Sequence, residues 1–308
     1  MVIPVLDGGR VFAEQMRALA GQKRTPLEIV VVDSGSRDES VDTALEYGAR
    51  VIEIRKEDFD HGATRNLGIE HTHGEFVVLL TQDATPTSPE FIDSIVAPFE
   101  DPNVAGVYGR QLPRPDCDVV TARNLNGWLT GREDARRMRL PEDGLERLAP
   151  MERYQLCVFD SVCCALRRRC WEEIPYERTS FGEDVTWGRE ALSRGWTLAY
   201  EPTASVVHSH RRSILYEFER TRECHALLHR LFGVSTLPRA RNIPAAWSGT
   251  LANDVSHAWR HAPRGVERWR QVARAAGLGL TSPIAQHLGM RDAMREQRDS
   301  LGARDTRS

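Results

Sequence analysis

A chain of 308 residues, 41% of them hydrophobic, is long enough to bury a large α/β core plus an appendage without disulfide support. Its formal net charge of -3 excludes a chain-wide nucleic-acid footprint, although residues 211–308 carry 17 Arg against 9 Asp and Glu, a local net charge of +8. There is no bilayer-length apolar run and no basic-then-apolar leader, so the expected location is the cytoplasm, with the basic tail read as a contact for the inner face of the plasma membrane, a contact for an anionic acceptor, or a solvated helical face.

In the first hundred residues, short apolar runs alternate with amphipathic stretches, the pattern of consecutive βαβ units around a mainly parallel sheet. The runs are VIPVL, EIVVV, RVIEI, FVVLL and VAGVYG. Phe12, Met16 and Leu19 fall at i, i+4 and i+7, so they line the inward face of a first helix. After the second run, Ser36 and Glu39 form a capping box for a helix buried through Val41, Ala44 and Leu45 and closed by Gly48. Arg65 and Asn66, within DFDHGATRNLGIEHTHGEF, start the next helix. Ser88 followed by Pro89 predicts a cap and first-turn proline for a helix facing inward through Phe91, Ile95 and Phe99. From Arg110 to about Arg153 the periodicity fades into a long excursion near the site. Regular structure resumes with a strand through VCCAL, a helix after Asp184 closed by Gly195, and strands TLAY and SVVH. Beyond Ser213 the chain reads as helical, with Trp247, Trp259 and Trp269 set among arginines. The six cysteines have no C-x-x-C spacing, which disfavours a zinc ribbon or redox pair and predicts free, mostly buried thiols. The expected organisation is a doubly wound, Rossmann-like α/β domain over 1–213 and a helical C-terminal extension over 214–308.

In open α/β sheets ligands bind beyond the carboxyl ends of the strands, where Asp33 follows EIVVV and Asp83 follows FVVLL. Either aspartate alone reads as a turn or cap residue. Together they suit a nucleotide bearing a diphosphate: one carboxylate for the base or ribose, the other for a divalent cation. No G-x-G-x-x-G turn follows the first strand, and no G-x-x-x-x-G-K-[ST] loop is present, which disfavours a dinucleotide dehydrogenase and removes a Walker ATPase. Phosphate charge is then left to metal and side chains, and Arg65 either pairs with phosphate oxygens or covers the sheet edge. Glu183 and Asp184 precede an amphipathic helix, where Asp184 is either an N-cap or a general base kept ionised by the helix terminus. His208 and His210 share a face at a strand end and are either metal ligands or surface histidines.

As an ordered set, IPVLDGG, VVDSGSRD, HGATRNLGI, LLTQDATP, SFGEDVTWGREAL, GWTLAYEP and VVHSHRRS resemble glycosyltransferase family 2, especially its rhamnosyltransferase-like members. The likeness spans about residues 1–213. It implies the GT-A fold, a UDP- or dTDP-sugar donor, a Mg²⁺ or Mn²⁺ ion and transfer with inversion. By resemblance Asp33 meets the base and Asp83 matches the last acid of the metal motif, with Thr81 in place of its first acid. Pro4, Asp7, Ser34, Arg65 and Gln82 complete the donor positions, Asp7 standing where many relatives have Asn. Asp184, with Glu183 beside it, matches the catalytic base, and His208 a histidine that often completes the metal or diphosphate site. The resulting expectation is transfer of rhamnose from dTDP-rhamnose to a hydroxyl of a glycan or lipid-linked acceptor. The alternatives are another UDP- or dTDP-sugar, or a catalytically inactive sugar-nucleotide-binding protein.

Overall fold

The computed structural model describes residues 1–25, 27–179 and 181–305, with residues 300–305 in backbone alone. Strands β1 (Val2–Val5), β2 (Val30–Asp33), β3 (Arg50–Glu53) and β4 (Phe76–Leu80) are the first four apolar runs. Helices α1 (Gly9–Ala20), α2 (Ser40–Glu46) and α3 (His61–Glu70) connect them. Next come β5 (Thr85–Pro86), α4 (Phe91–Val96) and β6 (Val104–Leu112). The excursion holds α5 (Val119–Gly127), β7 (Arg136–Met138) and α6 (Pro150–Cys157). It leads to β8 (Cys163–Arg167), α7 (Arg168–Glu173), α8 (Glu183–Ser193) and β9 (Thr197–Val207). Helices α9 (Ile214–Phe232), α10 (Ile243–His261) and α11 (Val266–Asp305) close the chain.

The strand order is β3-β2-β1-β4-β8-β6-β9-β5, with β7 pairing β9. The β3-β2-β1-β4 half is parallel, while β8 runs antiparallel to both β4 and β6. Continuous apolar runs rather than alternating ones suit strands covered on both faces, and all four residues of β2 are buried. Phe12, Met16 and Leu19 of α1 pack into that core as expected, each no more than 1% exposed. Cys157, Cys163, Cys164 and Cys170 are free, buried thiols, and burial pushes those of Cys157 and Cys164 up to about 12.

Several local expectations are corrected. Ser36 does not cap α2, because its hydroxyl is already bonded to the Asp33 carboxylate and accepts the Asp7 amide. Asp38 instead receives the Ser40 amide at the start of that helix. Leu45 faces solvent, leaving Ala44 as the buried apolar residue of this short helix. Helix α3 begins at His61, four residues before Arg65, because Asp60 caps it by accepting the Ala63 amide. Ser88 and Pro89 form the turn before α4, with the Ser88 hydroxyl accepting the Glu90 amide. TLAY and SVV are one strand of 11 residues with His208 just past its end, and its pairing with β6 is irregular between Val104 and Gly106 and again between Gly109 and Arg110.

Packing divides the chain into two compact units, the first comprising Met1–Arg114, Leu125–Arg147 and Gln155–Ser209. The second gathers Pro115–Asn124 and Leu148–Tyr154, both from the excursion, with His210–Ser308. Within the second unit, Val120, Ala258 and Ala275 form a small apolar core, and Arg123 pairs with Asp254 at 2.6 Å.

Candidate active site

The carboxyl ends of β1 and β2 build a loop pair held together by backbone amides and short polar side chains. Asp33 is buried and accepts the amides of Gly35 and Ser36, which shapes the loop after β2. Ser34 donates its hydroxyl to the Val5 carbonyl, and Pro4 lies in β1 in register with Val32. The β1 loop answers in kind: Asp7 accepts the Arg37 amide, while the Gly8 and Gly9 amides reach Ser40 and Asp38. Asp7 has φ +48°, the one non-glycine residue with positive φ among those described, a strained conformation that the surrounding hydrogen bonds hold in place. Gln82 bridges into the same loop, accepting the Leu6 amide at 2.7 Å and donating to the Leu6 carbonyl at 3.1 Å. Without a glycine-rich fingerprint, this loop pair presents the polar edge of the parallel half.

One residue after Gln82 comes Asp83, whose carboxylate oxygen lies 3.5 Å from His208 Nε2. The other ring nitrogen of His208, Nδ1, lies 2.9 Å from Gln111 Oε1 near the end of β6. Asp83 and His208 thus offer an oxygen and a nitrogen to a hard or borderline divalent cation, a donor set that fits Mg²⁺ or Mn²⁺. Thr81, where a first acid was missing, has a buried hydroxyl without a hydrogen-bond partner. His210 falls in the second unit.

The acidic pair separates into two environments. Gly182, at φ +77°, turns the chain into α8, whose first two residues are Glu183 and Asp184. Glu183 is buried against Arg65, with 2.5 Å between Arg65 Nη1 and Glu183 Oε1. Arg65, also buried, bonds the His61 carbonyl as well; burial is the largest influence and opposes its charge, but Glu183, together with Tyr176, Asp184 and Cys164, outweighs it and holds the pKa above the usual value. Its guanidinium is therefore engaged inside the protein. The neighbouring Asn66 clamps α3 through the Tyr176 backbone and the Trp171 indole. Gly62 permits the close approach, since a Cβ there would stand 1.9 Å from the Glu177 carbonyl oxygen.

Asp184 is only half-buried, and it is not an N-cap: Oδ1 accepts the amide of the next residue, Val185, and Oδ2 that of Ser161. Dehydration of the carboxylate, and then the nearby Glu183 charge, push its pKa up to about 6, against the pull of the two amides and Arg65. The helix terminus does not keep this acid at its ordinary strength. A carboxylate that titrates near 6 is ionised at neutral pH yet basic enough to take a proton in a transition state. Ser180, at the head of this motif, lies outside the described residues.

Sequence reasoning missed the segment that joins these parts. Asp160 accepts from Gln111, Ser161 donates to Asp184, and the Val162 carbonyl accepts the Thr81 amide. Its signal was a polar Asp-Ser pair directly before the apolar strand VCCAL. An open cleft of about 710 Å³ lies in the first unit between Arg110, Leu112, Pro113, Asn126, Arg132 and Asp134, a lining that is part polar and part apolar.

Comparison with known proteins agrees with this geometry. The profile of glycosyl transferase family 2 matches residues 1–174. The O-antigen chain rhamnosyltransferase RfbN of Salmonella typhimurium is 31% identical over 226 residues, covering 71% of this chain and 69% of its own. Among solved structures, the mannosyltransferase PcManGT of Pyrobaculum calidifontis, in complex with GDP-Man and Mn²⁺, superposes with a TM-score of 0.58 at 16% identity, over 95% of this chain and 86% of that one. Glucosyl-3-phosphoglycerate synthase of Mycobacterium tuberculosis, with Mn²⁺ and UDP-glucose, gives 0.53 at 19% identity, over 77% and 79%. The sheet is that of a GT-A fold, and the chain belongs to glycosyl transferase family 2.

Proposed function

We propose that this glycosyltransferase moves rhamnose from dTDP-rhamnose to a hydroxyl of a glycan or lipid-linked acceptor, with inversion at the anomeric carbon and Asp184 as the base. The observation that carries the chemistry is the 160–162 segment, which ties the base, Asp184, to the Asp83–His208 side of the site through three successive residues. The donor reading rests on the similarity to a rhamnosyltransferase. Other UDP- or dTDP-sugars fit the same residues. Asp184 takes the acceptor hydroxyl proton as that oxygen bonds to the anomeric carbon. The bond from that carbon to the diphosphate breaks on the opposite face, and the nucleoside diphosphate leaves. Asp83 and His208 would hold the divalent cation, which supplies charge neutralisation at the departing diphosphate. Pro4, Asp7, Asp33, Ser34 and Gln82 form the nucleotide side, Asp33 chiefly by shaping its loop. Arg65 acts through Glu183 rather than on phosphate.

A mass-spectrometric screen of nucleotide sugars, run with Mn²⁺, with Mg²⁺ and with chelator, tests this reading. Turnover of dTDP-rhamnose above other donors, lost in chelator, is the expected result. Full turnover in chelator removes the metal, and preference for another sugar removes rhamnose.

We further propose that the protein works at an anionic membrane surface. No helix among the described residues is long and apolar enough to cross a membrane. The turn joining α10 and α11 instead exposes Trp259, Val266 and Trp269, the two indoles packed edge to face with Arg268 over Trp259. Arg260, Arg264 and Arg270 are exposed around them. Indoles at headgroup depth, with about 1 kcal/mol per arginine near an anionic surface, suffice for reversible attachment. Flotation with anionic vesicles should succeed at low salt, and both high salt and Trp259→Ala/Trp269→Ala should abolish it. Failure of the unaltered protein to float at low salt overturns the proposal.

A further inference from the structure

The amide of Gln111 sits between two partners of fixed chemistry. On one side Asp160 Oδ2 lies 2.7 Å from Gln111 Nε2, and on the other His208 Nδ1 lies 2.9 Å from Gln111 Oε1. An ionised carboxylate can only accept, so the amide NH₂ must face Asp160 and the carbonyl oxygen must face His208. That oxygen is itself only an acceptor, which leaves Nδ1 as the ring nitrogen that carries a proton. Gln111 and His208 are both buried, so water offers little competition for either contact. The Val162 amide also bonds Asp160, at Oδ1, which holds the carboxylate in this orientation.

We propose that Gln111, clamped by Asp160, is a positioning residue that fixes the tautomer of His208. Nδ1 bears the proton, which leaves Nε2, 3.5 Å from the Asp83 carboxylate, to offer its lone pair to the cation the two residues would hold. The proposal rests on the reading of Asp83 and His208 as the cation-holding pair and extends it to residues outside every motif of the sequence. An acceptor behind a ligating imidazole fixes its ring orientation and raises its basicity, and loss of such a partner typically weakens metal affinity about 10–100-fold.

The test has two readouts that do not depend on transfer activity. In metal-free, histidine-¹⁵N-labelled protein, at a pH where the imidazole is neutral, long-range ¹H–¹⁵N spectra report which His208 nitrogen carries the proton; the signal is assigned by its loss in His208→Gln. A proton on Nδ1 is expected, and one on Nε2 overturns the proposal. Mn²⁺ binding is then measured by electron paramagnetic resonance on Gln111→Met, which keeps the size but offers no acceptor, and on the double variant Gln111→Glu/Asp160→Asn. In the double variant the new amide at position 160 donates, and the carboxylate at 111 still accepts from Nδ1. Gln111→Met should lose about 10–100-fold in Mn²⁺ affinity, and the double variant should recover most of it. Unchanged affinity in Gln111→Met, or a folded double variant that stays weak, overturns the proposal by leaving Gln111 with a packing role. If the unaltered protein binds no Mn²⁺, the metal reading fails, while the tautomer is still decided by the spectra.

Discussion

Asp184→Asn is expected to lower sugar transfer by about 10²–10⁴-fold while donor affinity and fold are retained, because the amide keeps the size of the carboxylate and loses its ability to take a proton. The carboxylate is well placed for that task. It stands in the first turn of α8 with its two oxygens oriented by the Val185 and Ser161 amides, and it remains only half-buried. Its pKa of about 6, raised by dehydration and by Glu183, fixes the sign of the pH dependence. On the proposal that Asp184 is the base, only its charged form can take the proton, so kcat/KM should be level above about pH 6 and fall as pH drops through that value. The same shift acts oppositely on stability: the folded state holds this proton more tightly than the unfolded chain, so the contribution of Asp184 to stability declines as pH rises from about 4 to about 6. Rate–pH profiles on the unaltered enzyme and steady-state rates on the variant check both statements. Near-normal turnover in Asp184→Asn would remove Asp184 from the mechanism.

The contrast between what the sequence displayed and what it concealed has a physical basis. Strands β1, β2 and β4 and helix α1 were legible because buried parallel strands are continuous apolar runs and α1 repeats its apolar residues at helical spacing, whereas the edge strand β3 showed only Val51 and Ile52 between two exposed charged residues. The places of Asp33, Asp83 and Asp184, at or just past strand ends and at the start of a helix, were legible. Their partners were not. A serine that caps a helix and a serine that completes an aspartate turn look alike in sequence, and the Asp33 carboxylate claimed Ser36 for the second use. Arg65 looked like a phosphate ligand because an arginine near a strand end reads as exposed; only the packing of α3 against the start of α8 shows it buried on Glu183. Gln111 and Asp160 lie 49 residues apart and meet through strands whose neighbours are set by the β4-β8-β6 order. No local pattern encodes such a contact. The excursion likewise hid the fact that residues 115–124 and 148–154 pack with the C-terminal helices.

Glu183→Gln should act on the fold first and on the chemistry second. Arg65 and Glu183 have side chains only 6% exposed, and Arg65 Nε already lacks a partner, so Glu183 supplies most of the compensation for a buried guanidinium. Removing one member of a buried pair leaves an uncompensated charge and costs about 3–5 kcal/mol. For a chain of this size that is a fall of roughly 5–8 °C in melting temperature, measurable by scanning calorimetry. Replacing both members by apolar residues, as in Arg65→Met/Glu183→Leu, should recover most of the loss because no unpaired charge remains. The catalytic consequence runs through Asp184. Loss of the Glu183 charge removes one of the two influences that raise the Asp184 pKa, so the acid limb of kcat/KM should move to lower pH while the plateau rate at pH 8, measured below the melting transition, stays within about tenfold, less than the loss of a general base. The reverse pattern, a large loss of plateau rate in folded Glu183→Gln together with a mild effect of Asp184→Asn, would make Glu183 the base and Asp184 its neighbour. Burial argues against that outcome: a carboxylate held at 2.5 Å by a buried arginine has its charge already spoken for, whereas Asp184 reaches the edge of solvent where an acceptor hydroxyl can arrive.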